Sequence, residues 1–596
     1  MSYIDTSPPS FSSNSLKTAY AGNFSSGVSF CDDDRFSADA TSPMSVNLRS
    51  KNGRICNFGS QTKLESDISV SGTFHSMTKY AFCSKNIIHA GTKLYCVDAS
   101  NAQISEIYSS MPDKPSFAVN FLSKVYFYCG CRVFSADKDF AVKEELAYAP
   151  LMYKDCLAGI KSGTKIEGAK LNMLSPRISA SYRFNELRSC IFPLSCDTSR
   201  KIEVFNKGVP VDESNYSVTE SYVLLDNSVT AENDNDIVVS FYLKNPKELG
   251  YDNCFDSMTL GTSYGGNVVS GTRIFVTGSP EYPGRYYISS LLDPLRFDED
   301  NFEIIGTGSD MITGFERQYG YLMIFTERSV LRMSYTMNGS DAVFSVKELN
   351  SSLGCDCPGS IELIDNRIVF LNSKSGVYII DTTENFDEQN IKPISRNVAY
   401  GNGCGLLELG AERLKNASSC DFDRKYYLCA GGKMYVWDYG EKAYSDNGGY
   451  GEAQKRLVWY YADKVFADCL FECAGKLCAY NSDSSKGISV FSENGESFGQ
   501  KICVRFCSGN IDFSYPADAK NVESVIFGLE VSKEQVEFTA FADGERYYSG
   551  HLIKLPGTLS RYGIKLPYSR LYTFGFEIKT KGKFTLKNIT VNYRLA

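Results

Sequence analysis

The chain reads as an all-β protein, a β-propeller with an inserted small β-sandwich and a C-terminal β-sandwich. Three observations predict this. First, a hairpin phrase recurs: an apolar run of about five residues, a tight turn with Gly or a small polar residue, and a second apolar run. It reads IIHAGTKLYCVD at 87–98, VYFYCGCRVFSAD at 125–137 and YLMIFTERSVLRMSY at 321–335. It returns as RIVFLNSKSGVYIID at 367–381, YYLCAGGKMYVWDY at 426–439 and KLCAYNSDSSKGISVF at 476–491. Second, the copies that start at 321, 367, 426 and 476 step by 46, 59 and 50 residues. That is the spacing of one hairpin per propeller blade, in a ring of about five to eight blades. Third, 39 Tyr and 38 Phe against 2 Trp, with 48 Gly, favour strands and turns. No run longer than about ten residues keeps a helical period.

Taken in order, residues 1–55 are rich in Ser, Asn, Asp and Gly and read as an extended N-terminal arm. The first propeller blades occupy 56–151. The repeat then stops, and 152–255 reads as the inserted β-sandwich. Within it Ile202 and Val204, Val209 and Val211, Val223 and Leu225, then Ile237, Val239 and Phe241 alternate with polar residues. Turns fall at Asn206-Lys207-Gly208 and Asp234-Asn235-Asp236. Such an insertion is expected to project as its own antiparallel module and, because its strands are short, to pack on the ring or on a neighbouring subunit. The remaining blades span 256–500. Residues 501–596 form the C-terminal sandwich, with Phe574, Phe576, Ile578, Phe584, Leu586, Ile589, Val591 and Tyr593 as its apolar positions around a Lys581-Gly582 turn.

Charge narrows the function. A net charge of −8 argues against a basic grip on nucleic acid, which needs clustered Lys and Arg. It suits a conduit past which DNA slides. The first residues, MSYIDTSPPSFSSNS, have neither the basic nor the apolar region of a signal peptide. No apolar stretch reaches the roughly 18 residues of a membrane span. Many of the 20 Cys fall in strand patterns, among them Cys96, Cys129, Cys429, Cys478 and Cys503. They are expected to be reduced, buried small hydrophobes in a chain that folds in a reducing cytosol.

Catalytic and metal chemistry finds little support. His75, His89 and His551 are far apart in sequence, and His89 sits in a hairpin strand as a structural residue. The close cysteine pairs are Cys129/Cys131, Cys355/Cys357, Cys469/Cys473, Cys473/Cys478 and Cys503/Cys507. None is C-x-x-C and none has a His beside it. Cys129 and Cys131 are expected on one side of a strand. The acidic clusters Asp32-Asp33-Asp34, Asp234-Asn235-Asp236 and Asp298-Glu299-Asp300 lack the calcium-loop pattern and read as solvated turns. SENGESF at 492–498 is one residue short of a sialidase Asp-box, has Asn for Asp and occurs once. A glycosidase needs a carboxylate pair, which sequence alone does not place. No phosphate-binding glycine loop is present. The expectation is a protein with no catalytic residue, cofactor or metal.

Four stretches carry a family resemblance. NIIHAGTKLYCVD at 86–98 is similar to the first blade of the propeller proteins of tailed-bacteriophage tail tubes and hubs. This family includes tail nozzle, packaged-DNA stabilisation and portal-proximal ring proteins. GAKLNMLSPRISASYRFN at 168–185 resembles the start of their inserted domain. TRIFVTGSPEYPGRYYISSLLDPLRFDEDNFEIIGTGSDMITGF at 272–315 resembles their Gly-x-Pro-x-Tyr-Pro turn followed by Asp-Pro, here Gly278 to Pro283 and Asp293-Pro294. LVWYYADKVFADCLFECAGKLCAYNSD at 457–483 resembles their last blade, although the family usually has Gly where Asn481 or Ser482 stands. The resemblance spans about 86–596. It implies a structural virion protein, not an enzyme. Such a protein assembles with itself in a ring, commonly of six, in the neck or tail. Its neighbours are a portal or adaptor protein and other tail proteins. Packaged DNA passes its lumen without sequence-specific binding, and no membrane is involved. The alternative reading is a propeller that binds or cleaves host surface glycans.

Overall fold

The computed structural model describes residues 15–596 except 23, 25, 31–40, 67, 80–84, 102, 158–162, 184–188, 192–195, 220, 227–228, 230, 267–270, 340, 382–390, 402, 445–454, 533–534 and 558–559. The chain is all-β, of propeller class with extra sheets. Among the described residues the one α-helix is the single turn Ala411–Lys415. Two compact units divide the chain. One holds 72–98 and 104–354, the other 1–71, 99–103 and 355–596.

The first unit contains four blades, each a four-stranded sheet in sequence order. Blade 1 is Phe74–Lys79, Asn86–Ala90, Lys93–Asp98 and Gln103–Tyr108. Blade 2 is Phe117–Phe121, Lys124–Cys129, Arg132–Ala136 and Val142–Glu145. Blade 3 is Leu260–Tyr264, Arg273–Thr277, Arg285–Ile288 and Phe302–Ile304. Blade 4 is Ile312–Gln318, Tyr321–Thr326, Val330–Asn338 and Asp341–Asn350. The first strands of successive blades lie side by side. The Asn120 amide donates to Thr78 Oγ1 at 3.1 Å across two of them.

The inserted module follows blade 2. Its larger sheet runs Thr164–Lys165, Leu151–Cys156, Arg177–Tyr182, Ile237–Tyr242, Glu203–Asn206, Val209–Pro210 in spatial order. A second, three-stranded sheet is Ser189–Ile191, Tyr222–Leu225 and Tyr216–Val218. The Lys207-Gly208 turn has φ of 51° and 77°, the left-handed pair a two-residue hairpin loop requires. One expectation needs correction. The larger sheet is mixed, not antiparallel, because Leu151–Cys156 runs parallel to Arg177–Tyr182. The core of the module is continuous with that of the blades: Val204, Val223 and Val239 share one apolar cluster with Phe117, Tyr128 and Ile274 of blades 2 and 3. Short strands bury too little alone, so their apolar face merges with the blades.

The second unit contains blade 5 (Glu362–Ile364, Arg367–Asn372, Gly376–Ile380, Ile391–Pro393). Blade 6 follows (Ser418–Phe422, Lys425–Ala430, Lys433–Tyr444, Lys455–Asp463). Blade 7 has three strands from the C-terminal half, Cys469–Cys473, Lys476–Tyr480 and Ile488–Ser492. Its fourth strand, Ser60–Lys63, comes from near the N-terminus. The C-terminal sandwich packs Cys503–Cys507, Phe574–Lys581, Glu537–Ala542 and Glu545–His551 against Lys520–Val531, Arg561–Lys565 and Phe584–Leu595. Phe574, Phe576, Ile578, Phe584, Leu586 and Val591 all lie in its core.

The described residues of 1–55 are therefore more than an extended arm. Met44–Val46 pairs with Cys503–Cys507, Leu48–Lys51 and Arg54–Asn57 continue the opposite sheet, and Lys17–Ala21 pairs with Phe584–Leu595. Residues 56–63, read as the start of the first blades, complete the sandwich and blade 7 instead. Three buried amide side chains fix this segment. Asn47 donates to Cys503 O at 2.8 Å and accepts from Asp463 N at 2.9 Å. Asn57 donates to Gly582 O at 3.2 Å and accepts from Phe584 N at 2.6 Å. Gln61 donates to Phe466 O at 2.9 Å and accepts from Phe466 N at 2.8 Å. Each amide offers both a donor and an acceptor, so each satisfies backbone groups that a sheet ladder leaves over.

Candidate functional site

Acid–base groups gather at one place in blade 1. Ser76 pairs with His89 across the first two strands, and a register shift between Phe74 and Ser76 leaves His75 in a bulge. A bulge re-aims its side chain. The His75 and His89 rings lie 4.7 Å apart as a result. His75 Nε2 is 2.7 Å from Asp113 Oδ1. His89 Nδ1 is 2.7 Å from Ser116 Oγ, which is 2.7 Å from Ser76 Oγ. His89 is fully buried, and burial followed by the neighbouring His75 holds its pKa down at about 4. It is neutral at physiological pH.

The composition is that of a serine hydrolase, but the wiring is not. A nucleophilic serine needs its histidine oriented by an acid. Here the acid, Asp113, sits on the other histidine. Ser116 is 5 % exposed, so a substrate carbonyl has no approach to its Oγ. The group is a buried polar network in which His89 Nε2 is left without a hydrogen-bond partner. The distance in sequence between His75 and His89 hid their meeting, and the bulge that makes it leaves no sequence signal.

A second set of perturbed groups lies on first strands of blades. Burial raises the Asp421 carboxyl above its usual range; Tyr439 opposes the rise and Asp365 adds to it. The Tyr439 hydroxyl donates to Asp421 Oδ1 at 2.7 Å. Burial also raises Glu316, in blade 4. Perturbed carboxyls of this kind suit proton transfer.

Other sequence candidates resolve into structure. Asp236 accepts from Glu232 N and Asn233 N, both at 2.9 Å, and so closes a turn. Asp298 pairs with Arg296 at 2.8 Å, and Asp300 with Lys170. The cluster Asp32-Asp33-Asp34 lies outside the described residues. SENGESF anchors the N-terminal segment: Glu493 pairs with Arg49 at 2.7 Å, and Phe498 N donates to Gln61 O at 3.0 Å. Cys129 and Cys131 do not share a strand face; the strand ends at Cys129 and the Gly130 turn separates them. Cys503, expected inside, is exposed, whereas Cys129, Cys429 and Cys478 are buried. Among the described residues no three His, Cys, Asp or Glu side chains stand close enough to hold a metal ion.

A cavity of about 470 Å³ opens in the C-terminal sandwich beside the N-terminal strand. Phe24, Phe506, Phe576 and Tyr593 line it, with Ser45 and Arg49 as polar rim. The charge of Arg49 is already matched by Glu493. This is a volume for binding, with no acid–base pair in it.

No family model matches the chain. No curated protein matches it either. Solved structures similar to it are β-propellers. A computationally designed protein, Ika8, aligns at 9% identity and a TM-score of 0.31, covering 72% of this chain and 98% of its own. Kluyveromyces lactis Hsv2 aligns at 8% identity and 0.23, covering 66% and 97%. The exo-β-1,3-galactanase of Phanerochaete chrysosporium, solved with galactose, aligns at 8% and 0.19, covering 89% and 100%. The propeller class of this chain rests on its own sheet topology.

Proposed function

We propose that the chain is a structural subunit of a closed homo-oligomeric ring, commonly of six, in the neck or tail of a tailed-bacteriophage virion. It serves there as a passive conduit and seal for packaged DNA. The observation that carries this reading is a pair of different exposed apolar surfaces on modules outside the blades. The inserted module presents Tyr222 and Leu224 outward on alternate positions of one strand, with Val209 66 % exposed nearby in sequence. The C-terminal sandwich presents Ile553 and Tyr568, 69 % and 73 % exposed. Exposed apolar patches mark contact surfaces, and two unlike surfaces on one chain are what a head-to-tail contact needs to close by rotation. The resemblance across about 86–596 agrees with this role. Repeated around a ring, a net charge of −8 keeps the lumen from gripping DNA. The neighbours are a portal or adaptor protein and other tail proteins, assembled in the host bacterial cytoplasm.

Native mass measurement tests it. The wild-type chain gives a closed oligomer, and Leu224→Glu or Ile553→Glu shifts it to monomer. A wild-type chain that stays monomeric at high concentration and ignores neighbouring tail proteins overturns the reading. The second reading, cleavage of host glycans, draws on the raised Asp421 carboxyl beside Asp365. Polysaccharide turnover abolished by Asp421→Asn would establish it.

A further inference from the structure

A cleft of about 660 Å³ lies between blade 2 and the inserted module, within the unit of residues 72–98 and 104–354. Its walls carry four cations, Lys114, Arg132, Arg200 and Lys201, in a chain whose net charge is −8. Two of these are neutralised and a third only in part. Lys114 pairs with Asp256. Arg132 holds Glu144 through two bonds of 2.7 Å each. Lys201 pairs with Glu203 at 3.0 Å, a carboxylate that it shares with the buried Arg177.

Arg200 differs. Its guanidinium stacks on the Tyr242 ring at 4.0 Å and makes no ion pair among the described residues. The nearby Asp197 is engaged by Ser199, through its N at 3.0 Å and its Oγ at 2.6 Å, and feels Arg200 only as a more distant charge. Burial pushes the Cys131 thiol, half-buried in the same cleft, up to about 11, and Arg200 opposes this only weakly. Stacking on Tyr242 presets the guanidinium plane at the wall of the cleft. A fixed guanidinium of this kind matches the planar, two-oxygen geometry of a carboxylate.

We propose that this cleft binds a carboxylate of an acidic protein segment, with Arg200 as its forked donor. The wall charges choose the ligand. Arg200 and the partly matched Lys201 leave the cleft with an excess of positive charge, which seats an anionic group. A nucleic-acid strand brings a charge at every nucleotide, and the chain's net charge of −8 opposes the approach of such a long polyanion more than that of a short acidic segment. The site stands apart from ring formation and holds whether or not that reading does.

Cys131 reports on the site. In the full chain at alkaline pH, its slow alkylation by excess N-ethylmaleimide is followed over hours by peptide mass spectrometry, which separates it from the faster exposed Cys503. The probe is an acetylated Asp-Glu-Asp-Glu peptide, compared with Asn-Gln-Asn-Gln at the same ionic strength. The acidic peptide is expected to slow alkylation of Cys131 by roughly threefold near saturation. The amide peptide leaves the rate alone. Arg200→Gln abolishes the protection, and Arg200→Lys retains part of it. Should Arg200→Gln misfold, the contrast between the two peptides on wild-type protein decides. The proposal is overturned by equal rates with both peptides, or by undiminished protection in a folded Arg200→Gln protein. It is also overturned if inorganic phosphate or a short single-stranded DNA protects as well as the acidic peptide.

Discussion

The His75 and His89 rings lie 4.7 Å apart, one tied to Asp113 and the other to Ser116. Burial beside a second imidazole makes the charged form of His89 costly, so its folded pKa is about 4, against an ordinary value of 6.5. The unfolded chain then binds the proton first. Stability from this residue is intact above pH 6.5 and is lost as pH falls toward 4, by roughly 3 kcal/mol in all. His89→Asn keeps a polar atom near Ser116 and removes the titration. Hydrogen exchange of blade 1 peptides, corrected for intrinsic rates, checks this at pH 7 and pH 4.5. Wild-type blade 1 opens more readily at the lower pH, and the variant shows a smaller change. Equal pH dependence in both proteins would refute the assignment.

Gln61 fastens the N-terminal strand into blade 7. Its amide bonds Phe466 on both sides, and its Nε2 reaches Ser489 Oγ at 3.1 Å. Gln61→Ala leaves the part-buried N–H and carbonyl of Phe466 unmatched, at a cost of about 1–2 kcal/mol. Limited proteolysis is expected to cut first within 60–71 or in the Ile488–Ser492 strand. An unchanged cleavage map and an unchanged melting midpoint would show that the ladder with Ile488–Ser492 suffices.

The blades and this closure differ in how far they can be read from sequence. All six hairpin phrases became the middle strands of blades, because both runs and their turn are local. The middle hairpin of blade 3 escaped: Gly278 to Gly284 separate Thr277 from Arg285, too long for a tight-turn signal. Ser60–Lys63 reads SQTK, a polar strand whose partner is more than four hundred residues away. Its apolar content is nil, so periodicity has nothing to detect. The Arg200 cleft was equally hidden. Its unmatched charge is visible only once Lys114 and Arg132 are seen to hold carboxylates of their own and Lys201 to share one with Arg177. In the inserted module, alternation placed Val204, Val223 and Val239 correctly inside. Val209 faces solvent, because its strand is two residues long at the sheet edge.

Lys520 is wholly buried in the C-terminal sandwich. Its ammonium donates to the carbonyls of Tyr515, Asp518 and Tyr572 at 2.5, 2.9 and 2.7 Å. Burial lowers its pKa, and Asp512, Asp518 and Asp543 partly restore it. Lys520→Met matches the stem but strands three carbonyls without donors. The expected loss is about 3 kcal/mol or more, seen as a lower melting midpoint of the sandwich. A midpoint equal to wild type would mean that water replaces the ammonium.

Thiol chemistry gives the last test. Burial pushes the Cys129 thiol up to about 11 and Cys254 and Cys478 up to about 12. A thiol that stays protonated at pH 8 is a poor nucleophile, whatever its contacts. Cys503 is exposed on a strand of the C-terminal sandwich, so it is the expected first site of reaction in the native protein. With an aromatic disulfide reagent at pH 8, a small fast phase is expected natively. Most of the 20 cysteines should react once the chain is denatured without reductant. Replacing Cys503 with Ser should remove the fast phase and leave the denatured count lower by one. A denatured count near zero would mean the cysteines are paired, placing the chain in an oxidising compartment and counting against assembly in a bacterial cytoplasm.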